Sequence, residues 1–79
     1  MVRLARELEQ LRTVLKQKAE TAEEDNVVGE IAAAEVAAKN GQGPTVLEHL
    51  FKAGTWALSA ANTIGTTVAA TAIKAALGL

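Results

Sequence analysis

The chain has no cysteine, one histidine and one proline, and aromatic side chains make up only 3% of its 79 residues. Without cysteine no disulfide can form, and no cluster of metal ligands is visible in the sequence, so neither device is expected to stabilise the fold. A domain of this length buries only about 60% of the surface that its unfolded chain exposes. We therefore expect stability to come from helix packing or from partner subunits.

An excess of either charge is also missing, since the net charge is −1 and the pI is near 5.7. Such a chain has no overall attraction for nucleic acid or for an anionic membrane. The N-terminus is charged from Arg3 onward and lacks the apolar core of a signal peptide. We therefore expect no nucleic-acid partner, and cytoplasmic localisation.

Apolar residues are abundant, at 49% of the chain, and Ala is the commonest of them. Charge is unevenly distributed: eleven of the first 25 residues are charged, whereas residues 53–79 contain only Lys74. Small apolar side chains at helical spacing predict helices that pack closely. The sequence thus predicts an all-α fold, a small bundle of three to four helices in a single domain over residues 1–79.

The first predicted helix, residues 1–22, is amphipathic and resembles a coiled coil. Its leucines recur at spacings of four, three and four residues, at Leu4, Leu8, Leu11 and Leu15. Two heptads are fewer than an independent coiled coil needs. Packing within the chain's own bundle is favoured, and an intermolecular zipper is the alternative. Arg3 and Glu7 are expected to pair on the solvent side.

Two Thr-x-x-Glu sequences predict further helix starts. Thr21 and Glu24 form a capping box before an Ala-rich helix over residues 24–40, although a continuous helix from the N-terminus to residue 40 is not forbidden. Within it, Gly29 indicates either a helix start or close approach of a partner helix. A loop between Gly41 and Pro44 follows, and Thr45 is expected to cap the third helix. These elements predict a helical hairpin around the loop.

Residues 45–79 are predicted to form an uncharged helical hairpin or a kinked helix. The stripe from Val46 through Phe51 to Ala61 continues onto further faces, so this helix is expected to be buried on most sides. A break is predicted near Gly65, with Thr66 or Thr67 capping a last helix that ends at Gly78.

Candidates for chemistry are few. His49 lacks a second ligand, Ser59 lies among alanines without a base at helical reach, and the glutamates Glu20, Glu23 and Glu24 fit the positive end of a helix better than a cation site. The residues 41–43 do not match a phosphate-binding loop. We expect a non-enzymatic protein with no cofactor and no metal.

The uncharged stretch from residue 53 to residue 73 is long enough to cross a bilayer, but Asn62 and five threonines argue against simple insertion. We expect its surfaces to meet another subunit, because they offer almost no charged face. The predicted function is self-assembly or binding to another helical protein; the alternative is a membrane-active or pore-forming peptide. The predicted interaction residues are Leu4, Leu8, Leu11, Leu15, Gly54, Trp56, Ala57, Ala61, Val68, Ala72 and Ile73.

Overall fold

Four helices and no strand make up the computed structural model, which describes residues 1–79 and is 86% helical. The bounds of the helices are α1 Val2–Lys18, α2 Ala22–Lys39, α3 Gly43–Ile64 and α4 Thr67–Leu77. Glu30 of α2 contacts His49 of α3, and the two residues lie at similar distances from the connecting loop, so these helices run antiparallel. The predicted all-α bundle with a hairpin around residues 41–44 is confirmed.

A capping box separates α1 from α2. The Thr21 hydroxyl accepts a hydrogen bond from the Glu24 backbone N–H at 3.1 Å, and the Glu24 carboxylate accepts one from the Glu20 backbone N–H at 2.9 Å. The reciprocal bond thus reaches one residue further back than in the standard motif. Ala19, Glu20 and Thr21 lie between the two helices. The helix α1 therefore ends at Lys18 and is shorter than the predicted helix over residues 1–22.

The start of α3 differs from the prediction. Gly43 is the first helical residue and Pro44 the second, so Thr45 lies inside the helix and does not cap it. Proline suits the first turn, where its missing N–H would have no partner and its fixed φ angle is already helical. The predicted N-cap, Thr45, therefore lies three residues after the observed N-cap, Gln42.

A kink at Gly54 divides α3, and the sequence pattern did not reveal it. The backbone of Gly54 has φ 77° and ψ −161°, which is far from helical and strongly favours glycine. A Cβ atom at this residue would meet no other atom within 4 Å, so inside the chain Gly54 serves the kink and no close helix contact. The helical spacing of apolar residues continues across the kink, so the periodicity of the sequence does not indicate it.

The predicted break at Gly65 is confirmed, and its local bonds differ from the expectation. Gly65 is left-handed at φ 77°, and α4 begins at Thr67. Thr66 occupies the N-cap position, but its buried hydroxyl donates to the Ala61 carbonyl at 3.0 Å and does not cap α4. The α4 N-terminus therefore needs another acceptor.

One apolar cluster forms the core. It contains 17 buried residues, ten of them alanines, and its largest fully buried side chains include Leu8, Leu11, Leu15, Ile31, Leu50 and Ile73. The leucine seam of α1 therefore packs inside the chain's own bundle. The exposed surface is 4484 Å², against about 4500 Å² expected for a folded monomer of this mass. The bundle is as closed as an ordinary monomeric domain.

Candidate functional site

The eleven predicted interaction residues divide into two groups by burial. Six lie in the core, where a partner cannot reach them unless the bundle opens: Leu8, Leu11, Leu15, Ala57, Ala61 and Ile73. The other five are partly exposed: Leu4, Gly54, Trp56, Val68 and Ala72. Two of these five, Leu4 and Ala72, line an apolar groove beside the start of α3.

The uncharged stretch from residue 53 to residue 73 has a polar outer surface. Every exposed residue in it is a glycine or carries a hydroxyl or amide group: Thr55, Ser59, Asn62, Thr63, Gly65, Thr67 and Thr71. Neutral polar groups therefore face the solvent where charges are absent. These surfaces are therefore compatible with solvent and do not require a neighbouring subunit to cover them. The kink at Gly54 and the break at Gly65 also divide the stretch, and none of the four helices has the length and apolarity to cross a membrane.

Exposed apolar side chains occur elsewhere, most prominently on the first half of α3. Large apolar residues that are exposed away from the chain ends are Val36, Leu47 and Phe51. Leu47 and Phe51 are 42% and 63% exposed and lie one helical turn apart on the same face. We call this pair the α3 ridge.

An apolar groove of about 550 Å³ adjoins the α3 ridge. It lies where the start of α1, the first turns of α3 and the middle of α4 meet, and Leu47 belongs both to it and to the ridge. The residues that line it are Met1, Leu4, Gly43, Pro44, Val46, Leu47 and Ala72. Ridge and groove together form an apolar surface that a partner could bind.

The predicted interaction residues do not include Phe51 and Leu47, because the apolar stripe of α3 predicts burial on most sides. The first four buried positions of α3 are Val46, Leu50, Ala53 and Ala57, at helical spacings of four, three and four. Leu47 and Phe51 each follow a buried residue by one position, which turns them about 100° away from the core. The charged residues Glu48 and Lys52 immediately after them were the available signal for an exposed face.

Polar groups beside the ridge are of two kinds. The Glu48 carboxylate and Lys52 ammonium lie 3.9 Å apart along the helix, and their side chains are 65% and 53% exposed. On the opposite side, toward α2, the Nδ1 atom of His49 lies 3.2 Å from a Glu30 carboxylate oxygen, and both residues are half-buried. Glu48 and Lys52 are thus accessible to a partner, while His49 is occupied in the hairpin.

A three-residue ionic network joins α1 to α2. Glu35 is buried, and its two oxygens accept bonds from Arg12 Nε at 2.7 Å and Lys39 Nζ at 3.0 Å. Burial raises the pKa of Glu35, but the bonds from Arg12 and Lys39 outweigh it and hold that pKa below its ordinary value. Glu35 in turn raises the pKa of Arg12. Both cations are bonded to Glu35, so we assign this network a structural role between α1 and α2.

A second buried carboxylate supplies the missing cap of α4. Glu7 was expected on the solvent side, but it is buried because the start of α4 packs against it. One oxygen accepts the Ala69 backbone N–H at 3.0 Å and the other accepts Arg3 Nε at 3.2 Å. Ala69 is the third residue of α4, where a free N–H and the helix dipole both favour an anion. Glu7 therefore attaches α1 to α4.

The remaining candidates for chemistry have no converging partners. His49 contacts Glu30, Glu24 is part of the α2 cap, and the hydrogen bond at Ser59 runs from the Thr63 hydroxyl to the Ser59 carbonyl. No three His, Cys, Asp or Glu side chains are grouped as a metal site requires. Comparisons with protein-family models, curated proteins and solved structures give no match.

Proposed function

We propose that this protein is a non-enzymatic helical interaction module that self-associates through the α3 ridge and the adjoining groove. The observation that carries the proposal is the exposure of Leu47 and Phe51 beside an apolar groove, in a bundle whose other exposed large apolar residues are isolated or terminal. Aromatic side chains, Phe among them, are enriched at protein interfaces, and buried aromatic anchors carry much of the binding energy there. Phe51 is the residue on which we expect binding to depend most.

Two further features support a binding role over a catalytic one. The buried ionisable groups, Glu7 and Glu35, are both satisfied by bonds that hold helices together. The groove is lined by apolar residues and glycine, without the polar groups that a catalytic pocket needs to orient a substrate. The absence of cysteine agrees with the reducing cytoplasm as the place of action.

Sedimentation of the purified chain over a range of concentrations tests the proposal. We expect an apparent mass that rises above the 8.2 kDa of the monomer, and a marked loss of association in Phe51→Ser. Val36→Ser is the matched control, since Val36 is also exposed and apolar but belongs to α2 and does not line the groove. An unchanged mass of 8.2 kDa at every concentration would contradict self-association.

Vesicles added to the same samples test the membrane alternative. If the chain floats with neutral and anionic vesicles while remaining monomeric in buffer, the apolar surface binds lipid and the proposal is wrong. If vesicles leave its sedimentation unchanged and the mass rises with concentration, the surface binds protein.

A further inference from the structure

The first half of α3 carries two neighbouring rows of side chains that are each complementary to themselves. One row is the apolar α3 ridge, Leu47 and Phe51. The other row pairs an acid with a base at the same spacing, Glu48 and Lys52, both more than half exposed. Their 3.9 Å separation makes a loose pair, so either side chain can reach a different partner at little cost.

Twofold symmetry matches each row with its own copy. A twofold axis perpendicular to α3 reverses the direction of the second helix, so Glu48 of one chain faces Lys52 of the partner subunit, and Leu47 faces Phe51 of the partner subunit. An isologous dimer requires this kind of self-complementary patch. We propose, on the basis of the self-association proposed above, that two copies pack their α3 helices antiparallel about such an axis.

The groove gives the proposed dimer an apolar centre. Leu47 forms one wall of the groove, so a Phe51 ring that packs against Leu47 of the other copy lies at the groove mouth, next to Pro44. Each copy offers one ring and one groove, and the symmetry fills both. Side chains that fill well-packed, desolvated pockets carry most of the binding energy of an interface.

Charge complementarity favours a second copy over an unrelated partner. A mixed acid–base row is matched only by a surface with the opposite order of charges, and the second copy supplies this order by symmetry. The net charge of −1 causes little long-range repulsion between two chains. Each row has only two side chains, whereas a standard interface buries about 800 Å² per partner, close to a fifth of the 4484 Å² surface. We infer a weak and reversible dimer.

Charge reversal tests the antiparallel arrangement. Glu48→Lys and Lys52→Glu each place like charges opposite one another at two symmetric positions, so each variant alone should dimerise about tenfold more weakly than the wild type. A mixture of the two variants restores opposite charges and should form heterodimers. The double variant Glu48→Lys/Lys52→Glu should recover homodimers. Sedimentation of each sample, with circular dichroism to verify folding, measures all four cases.

Matched reversals outside α3 are the controls. Glu20→Lys and Lys18→Glu change the net charge equally but lie near the α1–α2 connection, and they should dimerise like the wild type. If the wild type is monomeric, both proposals fail. If the wild type associates but the α3 reversals behave like these controls, self-association stands and the antiparallel α3 dimer is wrong. Single variants that lose association without recovery in the mixture also contradict it.

Discussion

At the scale of single residues, Glu35 shows how a buried charge can be retained. Its ionised form is stabilised, since its pKa lies below the ordinary value of 4.5. It therefore adds stability above about pH 4.5, and this contribution is lost as the pH falls through the lowered pKa. Removal of one member of a fully buried pair costs about 3–5 kcal/mol. Arg12 and Lys39 are partly solvated, so the loss here is smaller.

We predict that Glu35→Gln lowers the free energy of unfolding by about 1–2 kcal/mol at pH 7. The difference between variant and wild type should shrink below pH 4.5, where the wild-type carboxylate takes up its proton. Urea denaturation at a series of pH values measures this. Glu20→Gln, at an exposed site between α1 and α2, should change little at any pH. If the loss of unfolding free energy in Glu35→Gln is independent of pH, the network stabilises the fold through packing and hydrogen bonds, and the charge of Glu35 contributes nothing.

Glu7 provides a second test, which separates its cap on α4 from its ion pair with Arg3. Loss of a helix-capping acceptor costs about 0.5–2 kcal/mol. We predict this loss for Glu7→Ala and a smaller one for Glu7→Gln, whose amide oxygen can still accept the Ala69 N–H. Arg3→Gln should cost less than 0.5 kcal/mol, because Arg3 is largely exposed and surface ion pairs contribute about 0–1 kcal/mol. Equal losses for Arg3→Gln and Glu7→Ala in urea denaturation would contradict the capping role.

At the scale of elements, two glycines should respond to alanine with opposite signs. Gly54 has a backbone conformation that alanine adopts only with strain, so Gly54→Ala should destabilise the fold by about 1–3 kcal/mol. Gly29 lies inside α2, is exposed, and has space for a methyl group. Gly29→Ala should therefore stabilise by about 0.5–1 kcal/mol. Thermal unfolding monitored at 222 nm compares the two. A stabilised Gly54→Ala would mean that α3 is straight.

Local chemistry explains which element boundaries were predictable. The cap at Thr21 and the break at Gly65 depend on residues within one turn of the boundary, and both predictions are confirmed. The kink at Gly54 depends on how both halves of α3 pack against other helices, which periodicity does not report. The prediction for the start of α3 is wrong for a different reason, since Pro44 is compatible both with a loop and with a first helical turn.

The candidate site was less predictable than the fold, because it depends on which side of α3 faces the core. The stripe of α3 is wide enough for several orientations, and the kink and the packing against α2 and α4 select one of them. Ala53 and Leu50 turn inward, and Phe51 is left outside. The cap from Glu7 to Ala69 was also missed, since 62 residues separate the two groups. No local pattern contains information over such a distance.

At the scale of the whole molecule, the closed core changes the meaning of self-association. The sequence predicts that the almost uncharged C-terminal half meets another subunit, because it offers almost no charged face. Threonine, serine and asparagine instead cover that half, and the radius of gyration of 10.8 Å is below the roughly 12 Å typical of this length. Association of folded monomers, and not folding through association, is therefore expected.

We predict that the chain stays helical and unfolds cooperatively at concentrations where it is fully monomeric. The free energy of unfolding should lie near 4–12 kcal/mol, the range for about 80 residues. Its midpoint in urea should hardly change on dilution, since a weak dimer adds little by mass action. Circular dichroism along a dilution series, with sedimentation at the same concentrations, measures both quantities. If helix content falls together with the loss of dimer, the bundle needs its partner to fold, because the ten core alanines then provide too little apolar contact for the monomer alone.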